Sequence, residues 1–186
     1  MKKLILISII ALVNNVSFGQ AKISIGIKGG LNFSKVNVDS AFSISSKTGF
    51  HGGAFALFKF SKIGIQPEII FSQQGSKINL SEWETSYINI PILIKFYILA
   101  GLNLQAGPQF GFVNKAKLSG SNIKDSLKTA DISAALGIGW DAPFGMIFNA
   151  RYNLGLTDIN DNLINQKVKN QVFQISAGIR LFKFGK

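Results

Sequence analysis

The chain alternates between apolar and polar residues in eight segments, and this period-two pattern restricts its fold more than any other feature. The gaps between segments alternate in length, at roughly 15, 2, 10, 4, 16, 5 and 15 residues. An up-and-down transmembrane β-barrel requires this rhythm, because long loops lie at one membrane face and tight turns at the other. The predicted fold is therefore all-β, an eight-stranded antiparallel up-and-down transmembrane β-barrel with four long outer loops and short periplasmic turns. The predicted strands are 23–34, 50–60, 63–75, 86–97, 102–113, 130–140, 146–156 and 172–184.

The two parities of each segment differ in a way that indicates which side faces lipid. Large apolar residues such as Ile25 and Ile27 occupy one parity, and small polar residues such as Ser24 and Gly26 occupy the other. A soluble barrel would instead expose a charge-rich face to water. We therefore expect the apolar parity to face the bilayer and the small polar parity to fill a narrow lumen.

The second segment is ambiguous, because its residues of one parity mix polar and apolar character. A β-bulge is the expected explanation. These mixed residues are His51, Phe55, Leu57 and Lys59.

Three prolines also conflict with a regular barrel. Pro67, Pro91 and Pro108 lie inside predicted strands, where the missing N–H removes a ladder hydrogen bond. A closed barrel has no edge strand that could hold them. We expect either that each proline lies at a bulge or that the strands are shorter than predicted.

The N-terminus has the features of a secretory signal peptide. Lys2 and Lys3 precede an apolar stretch at 4–13, and Ser17 and Gly19 place small residues at the −3 and −1 positions of a cleavage site. The stretch is too short for a membrane-spanning helix, which needs about 20 residues. The chain has no cysteine that could carry a lipid anchor. We expect a signal peptide over 1–19, cleavage near Gly19-Gln20, and an outer-membrane β-barrel domain over 20–186 without a separate soluble domain.

The charge of the chain favours an anionic membrane surface as a partner. The formal net charge is +11, and it falls to +9 when Lys2 and Lys3 are removed. The basic residues are scattered singly rather than in a stripe, which argues against nucleic acid. The predicted loops 35–49, 76–86, 114–129 and 157–171 contain nine lysines and six acidic residues. We expect outer-membrane lipid and lipopolysaccharide to be the partners of these lysines.

A group of charged residues falls on the polar parity and is expected in the middle or turn-side half of the lumen, with Asp131 near the loop-side rim. Glu68 and Lys95 are expected to pair because their segments form a hairpin, which leaves the remaining cations in excess. A structural plug, an anion-favouring channel and a metal or catalytic role are all open. Charges here argue against a soluble lipocalin-like ligand binder, which needs an apolar interior. The predicted lumen cluster is Lys28, Glu68, Lys95, Arg151 and Arg180.

His51 is the single histidine of the chain, and it falls at the loop-side end of the second segment. It follows a serine-rich stretch at 40–46, so that a Ser/His pair on the outer rim could form a lipid-modifying enzyme. No orienting acid stands at a recognisable spacing. We expect no cofactor, and no metal site either, because the chain has no cysteine and no suitable carboxylate spacing.

The last predicted strand ends on alternating aromatics. Phe182 and Phe184 resemble the terminal signal that barrel-assembly machinery recognises, although Gly185 and Lys186 follow them. With Trp140 and Phe144 at a nearby short turn, the two phenylalanines are expected to form the periplasmic aromatic girdle. Barrel-assembly machinery is therefore an expected partner.

Five stretches of the mature chain carry a family resemblance. They are GIKGGLNFS (26–34), QPEIIFSQQG (66–75), YINIPILIK (87–95), AGP (106–108) and RYNLGLTDI (151–159). Their order and spacing resemble the PorT-like outer-membrane β-barrel family of Gram-negative bacteria. The resemblance implies an OmpA-like eight-stranded barrel in the outer membrane and no assigned enzymatic activity. The family's namesake is associated with protein secretion and gliding, but barrel motifs alone do not transfer that role. We expect a structural or docking role in the envelope rather than catalysis.

Overall fold

The computed structural model describes residues 22–38, 44–78, 81–118, 121–122, 130–157 and 168–185. The predicted signal peptide at 1–19 lies outside these residues. Within these residues the fold has eight long strands and one two-residue strand, β6. The strands are β1 (Lys22–Val38), β2 (Ile44–Phe60), β3 (Ile63–Ile78), β4 (Ser81–Tyr97), β5 (Leu102–Leu118), β6 (Ser121–Asn122), β7 (Ala130–Asp141), β8 (Met146–Gly155) and β9 (Val168–Phe184).

The sheet closes on itself. The strand order is β4-β3-β2-β1-β9-β8-β7-β5, and the pairing of β4 with β5 completes the ring. Every pairing is antiparallel, and β6 pairs with β5 alone. The predicted eight-stranded up-and-down barrel is therefore confirmed. Among the described residues, no helix is long and apolar enough to cross a bilayer.

The two ends of the barrel differ in their connections. Tight turns at 61–62, 98–101 and 142–145 lie at one end, which we call the turn end, together with Lys22 and Phe184. The opposite end, the loop end, has much longer strands than the alternation predicts. β1 continues to Val38 and β2 begins at Ile44, while β3 and β4 are separated by residues 79–80 alone. The predicted loops 35–49 and 76–86 are therefore too long, because strand pairing continues beyond the predicted alternating segments.

The side chains confirm the predicted faces. Ile69 and Ile138 are 63% and 61% exposed on the outer surface, whereas Gln66 and Lys95 are fully buried inside. A barrel with its apolar side chains outside and its polar side chains inside is built for a lipid surround. The soluble lipocalin-like alternative is wrong, because it requires the opposite arrangement.

The mixed second segment has a different explanation from the one predicted. Its alternation is unbroken from His51 to Lys59, and its pairing with β1 keeps one register throughout. The pairing with β3 does shift between Ser46 and His51, at the loop-side end of the segment. The mixed character arises because Phe55 and Leu57 face inward and form a small apolar cluster with Ile147.

The strands run through all three prolines without a change of register. At Pro67 the ladder between β2 and β3 skips two residue pairs and then resumes. The ladder between β3 and β4 does the same at Pro91, and that between β4 and β5 does so at Pro108. Both expected explanations, bulges and shortened strands, are therefore wrong. In an antiparallel sheet each residue bonds to one neighbouring strand only, so a proline interrupts one ladder and leaves the other continuous.

Aromatic side chains collect on the outer surface at the turn end. Trp140 stacks on Phe148 at 5.8 Å between ring centroids and meets Phe144 edge-on at 6.1 Å. Phe182 and Phe184 stack at 6.5 Å and both are exposed. Their strand carries a bulge opposite Ile25 and Gly26, where the register with β1 shifts by one residue. This arrangement agrees with an aromatic girdle at the turn end.

Candidate functional site

Glu68 is the centre of the polar lumen. Strand β3 directs it inward, where it is 1% exposed, and two cations converge on its carboxylate. Arg151 makes a bidentate pair with both Glu68 oxygens at 3.0 Å, and Lys28 Nζ lies 3.0 and 3.1 Å from the same oxygens. Gln66 Nε2 donates a further bond of 2.7 Å to Glu68 Oε1. Both oxygens of the buried carboxylate therefore accept charge-assisted hydrogen bonds from Arg151 and from Lys28.

A second buried ion pair lies nearer the turn end. Lys95 Nζ contacts Asp141 Oδ1 at 2.7 Å, and the Tyr97 hydroxyl donates to Asp141 Oδ2 at 2.6 Å. Lys59 Nζ lies 3.6 Å from the centre of the Tyr97 ring. Gln66 links this pair to the first one, because Lys95 Nζ donates to Gln66 Oε1 at 3.2 Å. The two ion pairs thus form one continuous network along the lumen.

The predicted pairing of Glu68 with Lys95 is wrong. In the register of β3 and β4, Lys95 stands opposite Gly64, four residues along the strand from Glu68. At about 3.3 Å per residue this separation is too large for a direct contact. The partners of Glu68 come instead from β1 and β8. Lys28 and Arg151 share this one carboxylate, so the cations still exceed the carboxylate by one. Asp141 was missed, although it has the inward parity of Gly137 and Gly139.

Arg180 does not join the cluster around Glu68. It lies at the turn end, where its guanidinium donates to the backbone carbonyl oxygens of Ala142 and Gly145. Its role is to fix the turn 142–145 against β9. Of the five predicted cluster residues, four thus lie in the connected network and Arg180 lies outside it.

The loop-side half of the lumen is held by neutral hydrogen bonds centred on Asn32. Its amide nitrogen donates to Ser72 Oγ at 2.9 Å, and its Oδ1 accepts a bond of 2.9 Å from Gln174 Nε2. His51 Nδ1 lies 2.8 Å from the same oxygen, and His51 Nε2 lies 3.1 Å from Ser176 Oγ. Because an amide oxygen only accepts, Nδ1 carries the proton and Nε2 accepts from Ser176.

His51 is therefore not the rim residue that the sequence suggested. It is 4% exposed and faces the lumen, where it contacts Asn32 on the adjacent strand β1 and Ser176 on β9, the strand after that. The side chains of the serine-rich stretch at 40–46 lie outside the described residues. The rim location on which the lipid-enzyme interpretation depended is wrong.

Asp131 lies toward the loop end, as expected, where the Thr157 hydroxyl donates a bond of 2.6 Å to its Oδ1. It borders a lumen cavity of about 10 Å³ that is also lined by Asn89 and Asn153. That volume accommodates about one water molecule. Within the described part of the chain, no three His, Cys, Asp or Glu side chains cluster as metal ligands.

A closed barrel with an apolar exterior and a charge-paired lumen defines the class of integral outer-membrane β-barrel proteins. The chain belongs to the outer membrane protein beta-barrel domain family, which matches residues 17–161. This membership assigns it to the outer membrane of Gram-negative bacteria. No curated protein gives a significant match to the chain.

Solved structures of two other proteins illustrate the shared fold. Neisserial surface protein A superimposes with a TM-score of 0.63 at 12% identity, covering 86% of this chain and 99% of that chain. Ail, the attachment invasion locus protein of Yersinia pestis, gives a TM-score of 0.55 at 18% identity, covering 90% and 99%. Ail in complex with the heparin analogue sucrose octasulfate gives 0.54 at the same identity. At these identities the similarity establishes the fold alone.

Proposed function

We propose that this protein is a non-catalytic, plugged outer-membrane barrel with a structural or docking role in the envelope. The observation that carries this proposal is the pairing of Glu68 with both Arg151 and Lys28 across the lumen. Eight strands enclose an interior that side chains just fill. A lumen crossed by buried ion pairs is suited to rigidity and not to transport.

The first test of this proposal is conductance. The folded full-length protein, inserted in planar bilayers, should give no steady current, because the ion pairs of Glu68 and Lys95 cross the lumen. A sixteen-stranded porin, which encloses an aqueous channel, serves as the positive control for the assay. A steady and reproducible channel, present in every preparation, would refute the plugged barrel.

The docking part of the proposal concerns the two ends of the barrel. The motifs at 26–34 and 66–75 resemble the PorT-like family, so we propose association with a secretion or adhesion assembly. Lysines near the loop end are proposed to meet lipopolysaccharide phosphates. Phe182 and Phe184 are proposed to present the assembly signal, which is supported by their exposure on the outer surface of β9.

The absence of catalysis is tested through His51. Because this side chain is 4% exposed and hydrogen-bonds inside the lumen to Asn32 and Ser176, we expect that a lipid acyl group does not reach it. We expect His51→Ala to leave the lipid A acylation profile of expressing cells unchanged, as measured by mass spectrometry. The loss of an acylation change that the parent protein produces would contradict this and establish an enzyme. A gel that compares heated with unheated samples controls for folding of the variant.

A further inference from the structure

The outer wall of the barrel carries an apolar groove near the turn end. Its volume is about 480 Å³, and it extends over β5, β7, β8 and β9. One row of paired residues explains its shape: Leu104, Ile138 and Ile175 are large, and Ala150 between Ile138 and Ile175 is small. The missing side-chain volume at Ala150 forms the floor, and the neighbouring branched residues form the walls.

Aromatic rings close the groove on its turn-end side. Trp140 and Phe148 both line it, and their rings stack on each other. The Trp140 indole is fixed because its Nε1 donates a bond of 3.0 Å to the Ala100 carbonyl oxygen. Phe144, in the turn 142–145, packs edge-on against Trp140. This wall is therefore continuous with the turn.

Two cations of β9 lie against the same turn. Arg180 donates to the carbonyl oxygens of Ala142 and Gly145. The Lys183 ammonium lies over the turn, since a Cβ atom built on Gly145 would be 3.6 Å from Lys183 Nζ. Lys183 is exposed, so its charge is available to a ligand at the membrane surface.

The whole turn end is strongly basic. Among the described residues there, the one acidic side chain is Asp141, which Lys95 and Tyr97 already occupy. Among the same described residues, the basic side chains at this end therefore outnumber the acidic ones. The basic residues are Lys22, Lys59, Lys62, Arg180 and Lys183.

We propose that the groove and the turn 142–145 together bind one anionic phospholipid. The headgroup phosphate would meet Lys183 and Arg180, and an acyl chain would lie along Trp140 and Ala150. Charge complementarity favours an anionic over a zwitterionic headgroup, because a cation near the membrane surface attracts anionic lipid. The groove at Ala150 is deep enough to hold one acyl chain. We expect the chain to prefer this groove to the flatter outer surface elsewhere on the barrel.

The chain offers a direct reporter for this site. It contains two tryptophans, Trp140 in the groove and Trp83 on β4 at the loop-side part of the barrel. The variant Trp83→Phe therefore leaves Trp140 as the single indole. It is reconstituted in phosphatidylcholine vesicles, and brominated phosphatidylglycerol or brominated phosphatidylcholine is added as quencher. We expect an apparent affinity about fivefold higher for the brominated phosphatidylglycerol, the contribution of one cation at a lipid surface.

Two charge variants in this background separate a site from diffuse attraction. Lys183→Gln should reduce the preference for phosphatidylglycerol to less than about twofold. Lys62→Gln is the matched control, because its turn joins β2 and β3, on the opposite side of the ring from β7 and β8. It should retain the preference. Equal quenching by both lipids in Trp83→Phe, or equal losses in the two lysine variants, would overturn the proposal.

A third variant tests the groove itself. Ala150→Leu fills the floor with an apolar side chain, faces lipid and keeps every charge. The preference for phosphatidylglycerol should be lost, and its persistence would overturn the assignment of the acyl chain to the groove. Each variant must show the heat-dependent gel shift of a folded barrel before its quenching is compared.

Discussion

Glu68→Gln is expected to lower the free energy of unfolding by about 3–5 kcal/mol, the usual cost of removing one member of a buried ion pair. The glutamine retains the size of the side chain, but Arg151 and Lys28 are left as two buried cations without a counter-charge. Of the neighbouring side chains, Gln105 accepts one hydrogen bond from Arg151 and supplies no negative charge. Urea unfolding in phospholipid vesicles, followed by tryptophan fluorescence, measures this change.

Asp131→Asn is the matched control, since it makes the same chemical change at another inward carboxylate. Asp131 accepts a hydrogen bond from the Thr157 hydroxyl, which carries no charge. Loss of a single hydrogen bond of this kind costs about 0.5–1.5 kcal/mol. If Glu68→Gln costs no more than Asp131→Asn, the lumen does not depend on its charges and the plug must be held by packing and neutral hydrogen bonds.

The outer face of the barrel was predictable from sequence because the bilayer acts on each residue separately. Ile27 must meet lipid and Lys28 must not, whatever strand lies beside them. Alternation therefore reports the lipid-facing band and the number of strands. The predicted alternating segments end before the strands do at the loop end, where residue pairs such as Gly75 and Glu84 still belong to the sheet. The predicted loops were too long for that reason.

The pairing inside the lumen was not predictable in the same way. Arg151 reaches Glu68 from a strand 83 residues away, across the barrel axis. That contact depends on the stagger of all eight strands. It therefore cannot be predicted from the pattern of residues within one strand or one hairpin. The hairpin of β3 and β4 suggested Lys95 as partner, but neighbouring strands do not imply neighbouring residues.

Asp141 was a different kind of omission. Its position follows from the inward parity of β7, which continues for one residue beyond Trp140 and ends at Asp141. The prediction ended the strand at Trp140, so the carboxylate that pairs with Lys95 was assigned to a turn. A parity rule that continues to the end of each strand would have found it.

Ile69→Arg is expected to lower the free energy of unfolding by about 2–4 kcal/mol in phospholipid vesicles, the cost of an arginine on the lipid face near the bilayer midplane. Ile69 is 63% exposed and lies next to Glu68 in the middle part of β3. On a soluble protein, the same exposed isoleucine would tolerate arginine within about 0.5 kcal/mol. The size of the loss in unfolding free energy therefore shows whether Ile69 faces lipid or water.

Ile63→Arg is the matched control for depth. Ile63 faces outward on the same strand, with 44% exposure, but at the turn end, where an arginine can reach the interface. Its expected cost is about 0–1 kcal/mol. Equal costs at the two positions would mean that the apolar band is not centred near Ile69, and small costs at both would mean that no bilayer surrounds it. Because both substitutions leave the lumen untouched, the difference between them depends on depth in the membrane and not on the plug.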